Sequence, residues 1–379
     1  MTNYVEQEIL EQPSIIRRIS EKTPTLLESD YFPKKPSHVV ITGCGDSYCA
    51  ALAGEYFFER NKIPTTAVHA MDLSRHRREI LEGGILIAIS VSGRTRRVLE
   101  CTKLATKNNV PVISLTDDIS SELANEGYPM PIHASSPDAL KESSYESELA
   151  SKYIGYQHDV AQTKTYLANL ATLYLIAASW GGSATIAFAQ DELLKSSSVL
   201  EQNNDIVKKQ TTEWIKEHHS PPYFFCGSGE NLATARYASY KMYEYCLPTQ
   251  LGTEIEEYCH TQYFATTKDD VVVFLAQNIG DFQRIKEIAV PLKNDLGINP
   301  LIISQITEEI PSVEKICLPY SDSFLVNFLG ITVAMQHLTL ALALGNQRNV
   351  NTFRGGINTE EYVSTSYKTI RKSTIWEEN

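Results

Sequence analysis

The stretch GGILIAISVSGRTRRVLECTKLATKNN, from Gly83 to Asn109, combines three structural signals in one short segment. It opens with an apolar, β-branched run that predicts a buried strand. It closes with apolar residues at helical spacing. Between them, a loop places Ser90, Ser92 and Thr95 around Gly93. A strand that leads through a glycine loop into a helix is typical of a parallel sheet with covering helices.

The same alternation continues on both sides of this segment in the first half of the chain. Before it, VVI at 39–41 predicts a strand, and YCAALAGEYFFER has helical spacing. After it, VPVISLTDD predicts a further strand, and YPMPIHA a possible fourth. The first half is therefore predicted to be an α/β domain.

The second half repeats the plan of the first. FFCGSGE at 224–230 corresponds to ITGCGDS at 41–47, and a helical segment, LATARYASYKMYEY, follows. DVVVFLAQN, NPLIIS and EKICLP predict more strands. We therefore predict an N-terminal helical segment at 1–30, α/β domains at 31–200 and 201–345, and a C-terminal tail at 346–379. Residues 135–152 are predicted to be a solvated insertion.

The composition narrows the classes of function. The 379 residues carry a formal net charge of -12, which argues against a general binder of nucleic acid or of anionic membranes. The seven cysteines are scattered, odd in number and without a CxxC pair, so they are expected to be reduced thiols in a cytoplasmic protein. The N-terminus lacks the apolar core of a signal peptide.

Two nearly uncharged stretches, Tyr166 to Gln190 and Ser323 to Gly345, raise the question of a membrane span. The second is long enough, but it contains Asn327 and His337, and polar side chains are costly in lipid. The first is interrupted by two glycines. We interpret both as buried helices and expect no membrane association.

The loops at the carboxyl ends of the predicted strands are the candidate binding site. Helix N-termini present free amides and a partial positive charge there, which favours phosphate. Ser90, Ser92 and Thr95 add hydroxyl donors, and Ser47 lies in the equivalent loop after the preceding strand. The alternative is ordinary N-capping by serine and threonine.

Three motifs resemble the double sugar-isomerase (SIS) family: GCGDSY, SVSGRT and IGYQHDVAQTKTYLANLATLYLIA. The chain looks most similar to the isomerase half of glucosamine-6-phosphate synthases and to related deaminases and deglycases. The resemblance implies two tandem SIS domains, each a flavodoxin-like parallel sheet flanked by helices, and a C-terminal tail that closes the active site.

The resemblance also implies roles for particular residues. Phosphate would be bound by Ser47, Ser90, Ser92 and Thr95, and other substrate contacts would come from Gly45, Gly93, Val160 and Gln162. The family's K-x-x-E pattern matches Lys241 and Glu244 in KMYE. Its histidine matches His260 in EYCHT, and its C-terminal lysine matches Lys372 in IRKST.

These residues suit proton transfer between C1 and C2 of a sugar phosphate. Glu244 would be the base, Lys241 would steady it, and His260 would open the sugar ring. Lys372 would form a Schiff base with an open-chain ketose. In the family the histidine comes from the neighbouring subunit, which implies a homodimer. The alternatives are a surface glutamate, a solvated ion pair, a structural histidine and an exposed tail lysine.

Departures from the family pattern affect the expected reaction. The chain shows no glutaminase domain, and Arg94 and Asp46 replace a glutamate and a threonine of the family motifs. We therefore expect deamination of glucosamine 6-phosphate to fructose 6-phosphate and ammonia, or the reverse. Deglycation of a fructosyl-amino-acid phosphate, phosphosugar isomerisation and non-catalytic sensing are the alternatives. No metal, cofactor or nucleic-acid partner is expected.

Overall fold

The computed structural model describes residues 3–135, 161–218, 222–366, 370 and 374. The chain divides into two compact units. The first-sheet unit contains Ser14–Leu194 and Asn358–Asn379, and the second-sheet unit contains Met1–Pro13 and Lys195–Ile357. Neither unit is one continuous segment, so the units differ from the predicted domains at both ends of the chain. The division falls within two helices, α1 (Tyr4–Leu27) and α6 (Ser183–Ile215).

The first-sheet unit contains a parallel sheet in the order β2-β1-β3-β4-β5. Its strands are β1 (Val39–Gly43), β2 (Thr65–His69), β3 (Ile85–Ile89), β4 (Val112–Thr116) and β5 (Tyr128–Pro131). Its other helices are α2 (Asp46–Arg60), α3 (Ala70–His76), α4 (Arg96–Lys107), α5 (Lys164–Ser179) and α11 (Thr359–Thr365). The strand order reverses between β1 and β3, where doubly wound sheets bind ligands.

The second-sheet unit contains a parallel sheet in the order β6-β7-β8-β9. Its strands are β6 (Tyr223–Gly227), β7 (Val271–Ala276), β8 (Asn299–Ser304) and β9 (Glu314–Cys317). Its other helices are α7 (Glu230–Glu244), α8 (Ile255–His260), α9 (Ile279–Asn294) and α10 (Phe324–Gly345). Thr249 and Thr253 form isolated parallel bridges to Tyr223 and Cys226 of β6, so the segment between the two threonines runs along that strand.

The internal repeat is visible in the backbone. Both α2 and α7 are 15 residues long, and each follows a glycine N-cap with nearly the same dihedral angles: φ 59°, ψ -129° at Gly45 and φ 60°, ψ -139° at Gly229. A Cβ added to Gly43 or Gly227 would lie 2.7 Å from the backbone carbon of the residue four positions on. Glycine is therefore required where each helix starts against its strand.

The cores confirm the predicted α/β class. Strands β1, β3, β4, β6 and β7 are buried along their whole length, as expected of parallel strands covered on both faces. The apolar side of α4 packs with Leu86 and Val112 in the first unit, and Phe282 of α9 packs with Phe274 in the second. These cores fix the carboxyl ends of the strands and the loops that follow them.

Of the two uncharged stretches, α10 meets the length and hydropathy of a membrane span, with a mean hydropathy of 1.6. However, 78% of its apolar window is buried inside the protein, as in the core helix of a globular fold. Its polar side chains have partners there: His337 Nε2 lies 3.0 Å from Asn204 Oδ1. The burial agrees with the prediction of a buried helix.

Candidate functional site

The loop between β3 and α4, residues 90–95, contains a compact hydroxyl cluster at the carboxyl edge of the first sheet. Ser90 is 3% exposed, and its Oγ lies 2.9 Å from Thr95 Oγ1. The backbone amide of Thr95 approaches the same Oγ at 3.4 Å. Ser92 is half-buried in the turn between them. We call residues 90–95 the serine loop.

Gly93 shapes the serine loop. Its φ of +64° lies in the left-handed region, and its amide donates to the carbonyl of Ser90 at 2.8 Å. A Cβ at Gly93 would lie 1.9 Å from Ser121 Oγ, so a larger residue does not fit without a shift. Glycine therefore lets the loop turn tightly against its neighbour and keeps the amides near the start of α4 accessible.

The capping alternative does not explain the Thr95 hydroxyl. Thr95 is the N-cap residue of α4, but its side chain makes no capping hydrogen bond and contacts Ser90 instead. Neither does a side chain cap the start of α2, whose N-cap is Gly45. Both helix N-termini thus present backbone amides that no N-cap side chain occupies, which suits an anion.

Ser47 lies in the first turn of α2, and the serine loop follows β3. Strands β1 and β3 are neighbours, so both loops belong to the same switch point. Ser47 is buried, 8% exposed, as is Ser90. Asp46, the first residue of α2, is also at this edge. Sequence reasoning placed the two loops at neighbouring strands, and the sheet order agrees with that placement.

In the second-sheet unit, α7 brings Lys241 and Glu244 together. The Lys241 Nζ lies 2.8 Å from Glu244 Oε2 and 5.0 Å from the centre of the Tyr237 ring. The lysine side chain is 1% exposed, whereas the glutamate is 35% exposed. The buried lysine orients the carboxylate, and the carboxylate remains accessible to a ligand.

His260 is the last residue of α8, a separate short helix, and it is exposed. Glu254 caps α8 by accepting hydrogen bonds from the amides of Glu256 and Glu257. Glu256 pairs with Arg284, whose hydrogen bond lowers the pKa of the Glu256 carboxyl. Burial opposes this, and the charges of Arg284 and then His260 add smaller downward effects. The structure places His260 at an accessible position beside this ion pair.

One family of known proteins matches a segment of the first-sheet unit. Residues 33–141 match the SIS domain family. The matched residues include Ser47 and the whole serine loop. The match therefore lies in the segment that contains the first two quoted motifs, GCGDSY and SVSGRT.

Curated relatives extend the likeness along the chain. The glutamine–fructose-6-phosphate aminotransferase (isomerizing) of Thermotoga maritima is 27% identical over 260 residues, 64% of this chain and 39% of that protein. The same enzyme of Helicobacter pylori is 24% identical over 370 residues, 92% of this chain and 57% of its own length. The chain thus spans about two fifths to three fifths of these relatives.

Solved structures share the fold over nearly the whole chain. The C-terminal domain of glucosamine-fructose-6-phosphate aminotransferase from Francisella tularensis superposes with a TM-score of 0.74 and 18% identity, covering 93% of this chain and 98% of that one. A glucosamine-6-phosphate deaminase from Thermotoga maritima gives 0.65 and 23%, covering 90% and 94%. At these identities the likeness concerns the fold alone.

Arg94, which departs from the family motif in the serine loop, forms an ion pair. Its guanidinium lies 3.1 Å from Asp118 Oδ2, and its side chain is 63% exposed. Burial tends to raise the pKa of the Asp118 carboxyl, but hydrogen bonds from Ser120 and the charge of Arg94 outweigh this and lower it. Arg94 therefore extends a cation to the solvent side of the loop, and its charge is largely matched by Asp118.

The other predicted contacts divide into described and undescribed residues. Gln162 lies just before α5, where its Oε1 accepts from the Thr165 hydroxyl at 3.2 Å. Val160 and Lys372 lie outside the described residues, as does all of the predicted insertion except Ser135. Their roles remain predictions, as do those of the other candidate residues.

One feature at the edge of the first sheet has no clear sequence signal. His69 ends β2 beside Gly43 and stacks on Tyr48, with ring centres 3.5 Å apart. Sequence reasoning missed it because it missed β2.

Among the described residues, Glu217, His218 and Glu314 have ligand atoms close enough to share a metal ion. His218 already contacts Glu314 at 2.9 Å, and both glutamates are exposed, so this group carries no functional assignment.

Proposed function

We propose that this protein converts glucosamine 6-phosphate and water to fructose 6-phosphate and ammonia, or catalyses the reverse. The observation that carries the proposal is the Lys241–Glu244 pair, in which the Nζ of a buried lysine lies 2.8 Å from the Oε2 of an accessible carboxylate. The same chain matches the SIS domain family over residues 33–141. The names of its relatives concern fructose 6-phosphate, and one structural neighbour is a glucosamine-6-phosphate deaminase.

The serine loop is proposed to bind the phosphoryl group. Phosphate needs several converging donors, and the loop offers the hydroxyls of Ser90, Ser92 and Thr95 with the amides at the start of α4. Ser47 adds a hydroxyl from the neighbouring helix start. Gly45 and Gly93 allow close approach of the backbone, and Gln162 and Val160 are proposed to contact the sugar.

Glu244 is proposed to move the proton between C2 and C1. After the sugar ring opens, its carboxylate takes the C2 proton of the aldose and returns it to C1, which leaves an imine at C2. Water then adds to that carbon, and ammonia departs. Lys241 is proposed to orient the carboxylate through their contact at 2.8 Å, so it acts through Glu244.

His260 is proposed to open the sugar ring from the neighbouring subunit of a homodimer. The exposed position of His260 supports this, as do the large apolar side chains exposed nearby: Phe264 is 80% exposed and Leu251 43%. Exposed apolar residues are frequent at protein interfaces. Lys372 is proposed to form a Schiff base with the open-chain ketose.

The first prediction tests the base. Glu244→Gln keeps the shape of the side chain but removes its basicity, so kcat for ammonia release from glucosamine 6-phosphate should fall roughly 10²- to 10⁴-fold. KM should change little, because the phosphate contacts remain. The matched control is Glu287→Gln, an exposed, ion-paired glutamate of α9.

The substrate comparison separates the alternatives. Ammonia release by the wild type that the control retains and Glu244→Gln loses would support deamination. Turnover of a fructosyl-amino-acid phosphate alone would favour deglycation. A structural neighbour from Escherichia coli is a tagatose-6-phosphate ketose/aldose isomerase, so aldose–ketose isomerisation is assayed as well. Tight sugar-phosphate binding without turnover would contradict the enzymatic proposal and favour a sensor.

A further inference from the structure

The second sheet has a switch point of its own, which the proposed function does not use. The chain leaves β6, runs along one side of that strand at Thr249 and Thr253, and then forms β7 on the other side. Parallel α/β sheets bind ligands outside the carboxyl ends of the strands at such a point. In the first sheet, the serine loop lies there.

The structural repeat pairs residues of the two switch points. Helix α7 begins with Glu230 and Asn231, where α2 begins with Asp46 and Ser47. The backbone is nearly the same at both starts, as the N-cap dihedral angles show. At the position of Ser47, the second unit therefore presents an amide side chain.

The edge of β6 differs in charge from the edge of β1. Thr253 pairs with Cys226 of β6, and Glu254 follows as the N-cap of α8. In the first sheet, His69 pairs with Gly43 and is the N-cap of α3. A carboxylate thus stands in the second unit where an imidazole stands in the first.

The loop after β7 continues the contrast. It contains Gln277 and Asn278, and Asp281 follows in the first turn of α9. None of these three residues carries the hydroxyl group that characterises the serine loop. We call the group formed by Glu230, Asn231, Glu254, Gln277 and Asp281 the acidic crevice. Three of its five members are carboxylates, so it does not suit phosphate.

Buried hydrogen bonds connect the floor of the acidic crevice. Gln277 Nε2 donates to Glu230 Oε1 at 2.7 Å, and Asn231 Nδ2 donates to Gln277 Oε1 at 3.1 Å. Asn231 is 1% exposed, and its Oδ1 has no hydrogen-bond partner. A buried acceptor without a donor is rare in folded proteins, and a ligand with N–H groups would satisfy it.

The charges of Glu230 and Glu254 act on Asp281. Burial raises the pKa of the Asp281 carboxyl, a hydrogen bond from Asn278 partly opposes this, and the negative charges of Glu230 and Glu254 add smaller upward effects. They are thus close enough to interact electrostatically. A bound cation would relieve this repulsion, which points to the sign of the ligand's charge.

The geometry points to an ammonium group in place of a bare metal ion. Among the residues that the structure describes, the group of potential metal ligands whose atoms lie within 4.8 Å of one another is Glu217, His218 and Glu314. That group is separate from the acidic crevice. Direct ligation of one ion by all three crevice carboxylates needs such closeness. An ammonium group can instead donate to Asn231 Oδ1 and to a single carboxylate, while its positive charge acts on the other two.

We propose that the acidic crevice binds a protonated primary amine, whose positive charge offsets the negative charges of the carboxylates and whose N–H groups include a donor to Asn231 Oδ1. The amine is bound as a ligand and undergoes no reaction there. This proposal is independent of catalysis at the Lys241–Glu244 pair, since binding is measured without substrate.

Methylammonium chloride is the probe, titrated into the full-length protein and followed by calorimetry and by the thermal unfolding midpoint. Tetramethylammonium chloride has the same charge but no N–H donor, so it should neither bind measurably nor raise the midpoint. Asp281→Asn should weaken methylammonium binding at least tenfold. Glu254→Gln is the second variant, and Asp269→Asn, at an exposed site, is the matched control.

Saturable methylammonium binding that Asp281→Asn or Glu254→Gln weakens, and that Asp269→Asn preserves, would support the amine site. Equal effects of the two ammonium salts would overturn it, because they would reflect ionic strength alone. Saturable binding of magnesium chloride in place of methylammonium would also overturn it, in favour of a metal ligand. Absence of methylammonium binding by the folded wild type would refute the site directly.

Discussion

At the scale of single residues, glycines set the shape of the candidate site. Gly93 takes a left-handed φ in the serine loop and leaves no room for a Cβ beside Ser121. Gly83 has a similar φ of +72°, but nothing lies within 4 Å of its Cβ position. Alanine substitutions at the two positions therefore separate the cost of backbone strain from the cost of steric overlap.

Gly93→Ala should lower the free energy of unfolding by about 2–4 kcal/mol, since it adds both strain and overlap. Gly83→Ala should cost only about 1 kcal/mol, because it adds strain alone. Chemical denaturation of both variants measures the difference. Ser121→Gly should recover part of the loss in Gly93→Ala, and equal destabilisation by the two alanines would contradict the predicted overlap.

Sequence and structure agree where residue patterns are strong. Buried parallel strands give continuous apolar runs, so β3, β4, β7 and β8 are evident from sequence. The repeated glycine loops predict the two α/β halves. TTAVH, by contrast, is a short, half-exposed strand whose alternation is weak, and β2 was therefore missed. The Lys241–Glu244 contact follows from i,i+3 spacing, whereas the difference in burial between its members depends on packing that no local pattern contains.

At the scale of elements, α10 has an apolar surface nearly all round and buries a histidine. His337 is 2% exposed, and its pKa is lowered to about 4, mainly by burial and to a lesser extent by the charge of Lys208. The unfolded chain binds a proton at His337 near pH 6.5, while the folded chain binds it only near pH 4. Stability from this group is therefore complete above pH 6.5 and is lost as the pH falls toward 4.

His337→Gln should remove this dependence. A shift of about 2.5 pKa units corresponds to roughly 3 kcal/mol, so the wild type should lose that much more unfolding free energy than the variant between pH 6.5 and pH 4. Denaturant titrations at several pH values measure the two slopes. Glutamine retains a donor for Asn204, and exposed His76→Gln is the control. Parallel slopes for wild type and His337→Gln would show that the histidine does not titrate as expected.

At the scale of the whole molecule, the proposed homodimer has a testable consequence. If His260 serves the partner's site, each site depends on Glu244 of one subunit and on the histidine of the other. Such shared sites require a symmetric, closed dimer. The position of His260 on an exposed helix end agrees with such an exchange.

Mixed dimers of Glu244→Gln and His260→Ala should regain activity that neither parent has. Each mixed dimer contains one site with both groups intact, so random reassembly of equal amounts should restore about a quarter of wild-type activity. The measurement is ammonia release after the two variants are dissociated and reassembled together. Activity no higher than that of the parents would place His260 in its own subunit's site.

The discontinuous units also have a consequence for synthesis. The first-sheet unit includes Asn358–Asn379, which is translated after Lys195–Ile357, although the rest of that unit ends at Leu194. Contacts of Asn358–Thr365 within this unit can therefore form only after Lys195–Ile357 has been translated. A fragment that stops at Leu194 lacks the later segment, and its folding would show how far the sheet can form without it.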